Sequence, residues 1–375
     1  MQNKINIGTI TFHGSHNYGS MLQAYALQEY IKQLFNGNCD YNIINFIPPV
    51  QNKIYNNIFD AETNWKTTIK RKIFSKEKQN LINKTQKFNN FKNSYLNLTD
   101  LYSSGEELRA ANLDYDYYIA GSDQIWNYNT GMDDFDWPYL LNFTNSKNKV
   151  SYAVSMGPKE QLYSNDKHEK FKKYLNDFQT VTVRDAHTQK YLNDHFKINS
   201  KIMPDPCFLL TEKQWSNAFN LCKDNKSDDY IFLYHFNTTE ATKLAAKIRK
   251  HTKLPIVISQ IPGKFEYMHR FKTELDVGPI EFLSLIKNAK FVLTTSMHAC
   301  IFSIIFNKNF YAINSSSDFR IDDLLTKYKL QDHEITIENY KNVLQNTQEI
   351  NPEAYNVLND EKSKAKKMLS EILKV

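Results

Sequence analysis

The sequence has no run of about 18 apolar residues, so no segment is expected to cross a membrane as a helix. Cysteine is scarce. The four residues, Cys39, Cys207, Cys222 and Cys300, are scattered without zinc-site spacing and read as reduced thiols of a cytosolic protein. A Walker A sequence, a Gly-x-Gly-x-x-Gly turn after a strand, an HExxH helix and paired CxxC are all missing. No metal is therefore expected. The first residues, "MQNKINIGTITF", lack the layout of a signal peptide and read as a strand. Excess charge is also small. A net charge of +6 is too weak to argue for nucleic acid, and suits an anionic substrate or surface equally well.

What is present is an ordinary globular composition, 41% hydrophobic and 23% charged over 375 residues, enough for two domains with their own cores. "INIGTITF" is a short apolar strand, and "MLQAYALQEYIKQLF" a helix from about Ser20, its expected N-cap. Ala24, Leu27, Ile31, Leu34 and Phe35 fall on one face of that helix. "YNIINFI" is the next strand, stopped by Pro48 and Pro49, so a β-α-β unit with parallel strands opens the chain. "DYYIAGSDQIWN", "KVSYAVSMGP", "FQTVTVRDAHTQKYL" and "SKIMPDPCFLL" continue the pattern, each a strand running into small or polar residues.

The polar stretch "LCKDNKSDD", 221–229, reads as an interdomain region, and a second alternating set follows it. The expected architecture is α/β, two Rossmann-like domains with a cleft between them: 1–225, then 226–350, with a helix over 351–375 packing back on the first domain. A basic helical stretch near 60–95 interrupts the first domain. Trp65, Ile69, Ile73 and Phe74 share a face there, ringed by Lys66, Lys70, Arg71 and Lys72. It reads either as an insertion packed on its own domain or as an element docking on an anionic membrane surface or an acceptor.

Four loops at strand ends carry the candidate chemistry. "HGSHNYGS" offers His13, His16, Asn17, Tyr18 and Ser20, with Gly14 and Gly19 admitting close backbone approach. "AGSDQIWN" offers Ser122, Asp123 and Asn127; "VTVRDAH" offers Arg184; "TTSMHACIF" offers Ser296 and His298 at a helix start. Helix N-termini and arginine attract phosphate and carboxylate, and histidine moves protons near neutral pH. Together they suit a small, multiply anionic substrate. Each also has a structural reading. His13 or His16 would bond backbone in a turn, Arg184 would pair with Asp185, Asp123 would cap a turn, and His298 would be a satisfied core imidazole.

"NYGSMLQAYAL", "GSDQIWN", "SYAVSMG", "TVRDAHT", "DPCFLL", "GPIEFLSLIKNAKFVLTTSMHACIFSIIF" and "FRIDDLL" occur in this order from about Ile5 to Leu325. Together they resemble the polysaccharide pyruvyl transferase family. The resemblance implies a fold similar to the GT-B glycosyltransferases. It also implies transfer of pyruvate from phosphoenolpyruvate to hydroxyls of a cell-surface polysaccharide or its lipid-linked precursor, as a ketal. The family's "SVRE"-like Arg matches Arg184, and the His of its strand-loop-helix motif matches His298. Some members place an Arg two positions before that His, where this chain has Ser296; Arg320 is the candidate to replace that charge.

On this reading Arg184 and Arg320 hold the anions and His298 transfers protons. His13 or His16 is the second proton-transfer group, and Asn17, Tyr18, Ser20, Ser122, Asp123 and Ser296 contact substrate. Phosphoenolpyruvate is the donor, with no cofactor or metal. The acceptor is a sugar or lipid-linked oligosaccharide, reached at the cytoplasmic face of the membrane, and nucleic acid plays no part. The rival readings are a nucleotide-sugar glycosyltransferase of GT-B type and a non-catalytic carbohydrate-binding protein of envelope assembly.

Overall fold

The computed structural model describes residues 4–49, 75–127, 137–157, 165–222, 229–236, 239–262, 264–313, 318–346 and 349–375. They form two compact units. One holds the described residues of 1–61, 92–210 and 358–375, the other those of 62–91 and 211–357. The apolar face 65–74, with its lysines, lies outside the described residues.

In chain order the first elements are β1 (Ile5–Ile10), α1 (Tyr18–Leu34), β2 (Cys39–Ile43), α2 (Ser75–Tyr95), α3 (Gly105–Ala110) and β3 (Tyr117–Asp123). Then come β4 (Lys149–Val154), α4 (Asn165–Leu175), β5 (Thr182–Val183), α5 (Ala186–Tyr191) and β6 (Lys201–Ile202). The six strands lie in the order β2-β1-β3-β4-β5-β6, every pair parallel. β1 pairs Ile5 to Thr9 with Cys39 to Ile43 on one side, and Ile7 to Ile10 with Tyr117 to Ala120 on the other. β3 and β4 are buried along their whole length, which explains why these strands read as continuous runs rather than alternating ones. Beyond β2 the segment 97–102 runs alongside: Ile43 N–H donates to Asn97 O at 2.7 Å, Thr99 N–H to Ile43 O at 3.1 Å.

α1 starts earlier than expected. Asn17, not Ser20, is the N-cap, its side chain accepting the Ser20 N–H at 3.2 Å. After β3 the chain is pinned by Trp126, whose fully buried ring stands edge-on to Phe171 and Phe178, both at 5.9 Å, while Nε1 donates to Tyr139 O. Gly121 permits the close approach of β4: its φ is +124°, and a Cβ there would sit 2.2 Å from Tyr152 O.

The second unit continues with α6 (Glu212–Ala218), β7 (Ile231–Tyr234), α7 (Thr239–Thr252), β8 (Ile256–Ile258), α8 (Lys264–Met268), β9 (Lys272–Thr273) and α9 (Pro279–Asn288). β10 (Phe291–Thr294), α10 (Met297–Ile305), β11 (Phe310–Ile313), α11 (Phe319–Lys327), β12 (Glu334–Ile335) and α12 (Tyr340–Asn346) complete it. α13 (Pro352–Leu373) ends the chain. Its sheet is again six parallel strands, in the order β12-β11-β10-β7-β8-β9. Counted from β7 this is 6-5-4-1-2-3, the doubly wound order of dinucleotide-binding folds. Pro279 occupies the first turn of α9, as its sequence suggested, and Glu281 closes that turn by accepting the Gly278 N–H at 3.0 Å. α10 is buried at all nine positions, as its unbroken apolar sequence requires.

The division falls at 210/211, whereas the polar stretch in the sequence placed it at 225. Side chains of α6 explain the difference. Trp215 packs edge-on to Phe302 with centroids 5.0 Å apart, and Lys287 Nζ reaches Glu212 Oε1 at 2.9 Å. Residues 75–91 of the basic stretch group with the second unit for the same kind of reason. Lys87 Nζ lies 3.0 Å from Glu281 and 3.4 Å from Asp276, and Phe91 packs on Phe219. Residues 358–375 of the last helix group with the first unit.

Candidate active site

An open parallel sheet binds ligands beyond the carboxyl ends of its strands, where the strand order reverses. In the first unit that point lies between β1 and β3. The loops leaving these strands are stitched together there. Thr11 Oγ1 donates to Ser122 O at 3.0 Å, and Ser20 Oγ donates to Asp123 Oδ2 at 2.6 Å. Two of the four stretches singled out in the sequence thus meet where the first sheet reverses.

The residues there divide by role. His13 is fully buried, with Nδ1 3.0 Å from Thr11 O and Nε2 2.9 Å from Asn45 Oδ1. Burial pulls its pKa down despite both hydrogen bonds. Each ring nitrogen is thus held by the protein, and His13 braces the turn. Gly14 leaves room for Ile47, against which a Cβ would press at 2.7 Å, so its smallness serves packing rather than a ligand. His16 and Asn17 are half-buried in the same loop, and Tyr18 is buried in the first turn of α1. Ser122 is turned inward, its Oγ donating to Ala153 O at 2.6 Å. Asn127 donates to Gln124 Oε1 at 3.0 Å.

Asp123 and Arg184 form the charged centre of this unit. Asp123, at φ +74°, accepts Ser20 Oγ and the Gln124 N–H, and its Oδ1 lies 3.5 Å from Arg184 Nη2. Arg184 Nη1 donates to Asp205 Oδ2 at 2.8 Å. Asp185, the partner suggested by sequence, instead caps α5 by accepting the Thr188 N–H at 2.7 Å. Burial disfavours the charged guanidinium, but Asp205, Asp123 and Asp185 outweigh it and raise the pKa. Arg184 is therefore an embedded cation balanced by carboxylates. Its Nε–H and its Nη2 protons have no hydrogen-bond acceptor among the described residues.

In the second unit the order reverses between β7 and β10. Thr294 Oγ1 donates to Tyr234 O at 2.7 Å and Phe236 N–H to Thr295 Oγ1 at 3.1 Å, tying the two strand ends. α10 starts at this point. Ser296, its N-cap, makes no side-chain capping bond and instead donates its N–H to Thr294 Oγ1 at 2.9 Å. His298 lies in the first turn, 8% exposed. Arg320 is committed elsewhere. Its Nε and Nη2 grip Asp318, the N-cap of α11, at 3.0 and 2.7 Å, so the charge proposed to replace a family arginine is neutralised locally.

A family model for polysaccharide pyruvyl transferase matches residues 17–317. The chain belongs to the polysaccharide pyruvyl transferase family. The match takes in Asn17, Ser20, Ser122, Asp123, Arg184, Ser296 and His298, and leaves out His13, His16 and Arg320. No curated protein sequence matches this pyruvyl transferase family member. Its fold is similar to UDP-N-acetylglucosamine 2-epimerase from Rickettsia bellii, with a TM-score of 0.51, 10% identity, and coverage of 98% of this chain and 97% of that one. It is also similar to the enzyme from Neisseria meningitidis bound to UDP-GlcNAc, with a TM-score of 0.53, 9% identity and coverage of 98% and 99%. Sucrose-phosphate synthase from Thermosynechococcus elongatus gives 0.50, 11% identity and 99% of both chains. At such identities the likeness shows the fold alone: two Rossmann-like domains of the GT-B kind.

Sequence reading missed three participants. Asp205 was hidden in "DPCFLL", where Asp before Pro announces only a cap; it does cap a short turn, through the Cys207 N–H at 2.9 Å, while holding Arg184. Asn45 sits in a strand-end run with no polar signature. His235 directly follows β7, 3.3 Å from Glu266 and 3.0 Å from Gln260 Nε2, with burial lowering its pKa.

Proposed function

We propose that the protein transfers pyruvate from phosphoenolpyruvate to two hydroxyls of a sugar in a cell-surface polysaccharide or its lipid-linked precursor, forming a ketal. The observation that carries the reading is the first turn of α10. It places an imidazole, His298, at a helix N-terminus left without a side-chain cap, at the point where the second sheet reverses. Backbone N–H groups of such a turn bind phosphate, and the imidazole beside them moves a proton. Family membership supports the same reaction class.

The chemistry needs both. A proton is added to the methylene carbon of phosphoenolpyruvate, the cation at C2 is attacked by one sugar hydroxyl, which gives up its proton, phosphate leaves, and the second hydroxyl closes the ring with loss of its own proton. His298 is assigned proton transfer and the helix terminus the departing phosphate. Arg184 is assigned a carboxylate or phosphate oxygen through its Nε–H and Nη2–H. Because Asp123 and Asp205 already neutralise it, Arg184 acts as a positioned donor rather than as a net positive charge.

The test is phosphate release from phosphoenolpyruvate with a panel of sugars and lipid-linked sugars, with the product weighed by mass spectrometry. His298→Asn is expected to lower turnover by about 10²–10⁴-fold while the protein stays folded. Turnover of a UDP-sugar with none of phosphoenolpyruvate would replace this reading by a glycosyltransferase. Glycan binding without any turnover would replace it by a binding protein.

A further inference from the structure

A cluster of basic side chains in the second unit lines α7. An open pocket of about 670 Å³ is lined by Lys243, Lys247, Arg249, Lys250, Lys253 and His269, with Ala246 and Ile337 as its apolar floor. The spacing explains the concentration: 243, 247 and 250 repeat along one face of α7, whose opposite face, with Leu244, Ala245 and Ile248, is in the core. The three lysines are exposed, and none of them is ion-paired among the described residues. The nearby carboxylates are few. Glu240 opens the helix, Glu338 lies within electrostatic range of Lys247, and Glu274 is taken by Lys272 at 2.7 Å.

Beside this basic rim stands an apolar turn. Tyr267 is 79% exposed, Met268 64% and Phe265 38%, three of the eight large hydrophobic side chains that the described residues leave in water. The two features are one surface. Lys243 Nζ lies 5.7 Å over the Phe265 ring, Arg249 Nη1 donates to His269 O, and His269 follows Met268 directly. α8 is held from beneath by Glu266, which accepts Thr242 Oγ1 at 2.7 Å, so Phe265, Tyr267 and Met268 are presented outward on a fixed base.

We infer that this surface docks the protein on an anionic membrane. Cations alone would suit any polyanion. Exposed Tyr and Met flanked by lysines match a lipid interface, where apolar tips enter the headgroup boundary and long cationic stems reach phosphates. The inference does not depend on the transfer reaction proposed above.

The experiment is flotation of the full chain with phosphatidylglycerol-containing vesicles and with phosphatidylcholine vesicles. Wild type is expected to float with the first and not the second, and to be released as salt rises from about 0.01 to 0.15 M and shortens the screening length. Lys243→Gln, Lys247→Gln and Lys250→Gln combined should weaken partitioning by about 10²-fold, roughly fivefold for each lysine. Tyr267→Ser with Met268→Ser should weaken it at every salt concentration. Unchanged circular-dichroism melts confirm that both variants fold. Equal flotation with the two vesicle types, or unaltered flotation of the lysine variant, overturns the inference. So does binding of single-stranded RNA that competes with vesicles and ignores the Tyr267/Met268 change, which would assign the surface to nucleic acid.

Discussion

Replacing Arg184 by methionine should expose its structural duty. The Arg184–Asp205 pair is 2.8 Å long, with side-chain exposures of 5% and 1%, and Asp123 lies 3.5 Å away on the other side. Methionine keeps much of the volume and removes the cation, leaving two buried carboxylates without it. Breaking a buried pair from one side costs about 3–5 kcal/mol. In a domain of 150–250 residues each kcal/mol moves the melting temperature about 2–4 °C, so a fall of roughly 6–20 °C is expected. Arg184→Met/Asp205→Asn should recover part of the loss, with a coupling of about 0.5–3 kcal/mol between the sites. Melting followed by circular dichroism on the four proteins of the cycle measures this. A single variant melting within a degree or two of wild type, or a double variant that simply adds the two losses, would refute the buried pair. The pH axis adds a control. The raised Arg184 pKa leaves the guanidinium charged across all accessible pH, so on the arginine side the pair is lost only far into the alkaline range, and in acid it is lost as its carboxylate partners are protonated.

Gly121→Ala should destabilise by at least about 1–3 kcal/mol, since φ of +124° and Tyr152 O at 2.2 Å leave no room for a methyl group; an unchanged melting temperature would contradict the close approach. Acid should loosen the fold through buried histidines. His13, His235 and His333 all have folded pKa values lowered from 6.5 by burial, so the unfolded chain binds more protons. Stability is then complete above about pH 6.5 and falls as pH drops toward the folded values, by about 1.4 kcal/mol per pH unit for each histidine in that window. His333→Gln should flatten the slope of melting temperature against pH between 7 and 5; the same slope in that variant would acquit His333.

The sequence announced the alternating architecture well because parallel strands buried on both faces are apolar throughout, as in "KFVLTT", and because buried helices such as "MHACIFSIIF" have no polar side. It also placed candidate loops at both sheet reversals, since small and polar residues follow those strands. β9 and β12 were not legible: two-residue strands carry no period. Nor was the allegiance of residues 75–91, which rests on Lys87 meeting Asp276 and Glu281 far along the chain. Side-chain partners were hidden for the same reason. Asn45 lies 32 residues from His13, and Asp205 and Asp123 reach Arg184 only through the fold, so none of these partners shows as a local pattern. Local caps hid the rest: Asn17 took the place foreseen for Ser20, and Ser20 was thereby released to bind Asp123.

The margins of the two sheets bear on how such a chain behaves at high concentration. β6, β9 and β12 are two residues each, too short to offer a neighbour a ladder of hydrogen bonds. The one longer margin, β2, is already occupied by the segment 97–102, through Ile43, Asn97 and Thr99. Unpaired strand edges are where folded proteins recruit one another into aggregates, and natural sheets blunt them. Here both sheets end in stubs or under cover, so association of folded molecules by strand addition is closed off at every margin among the described residues.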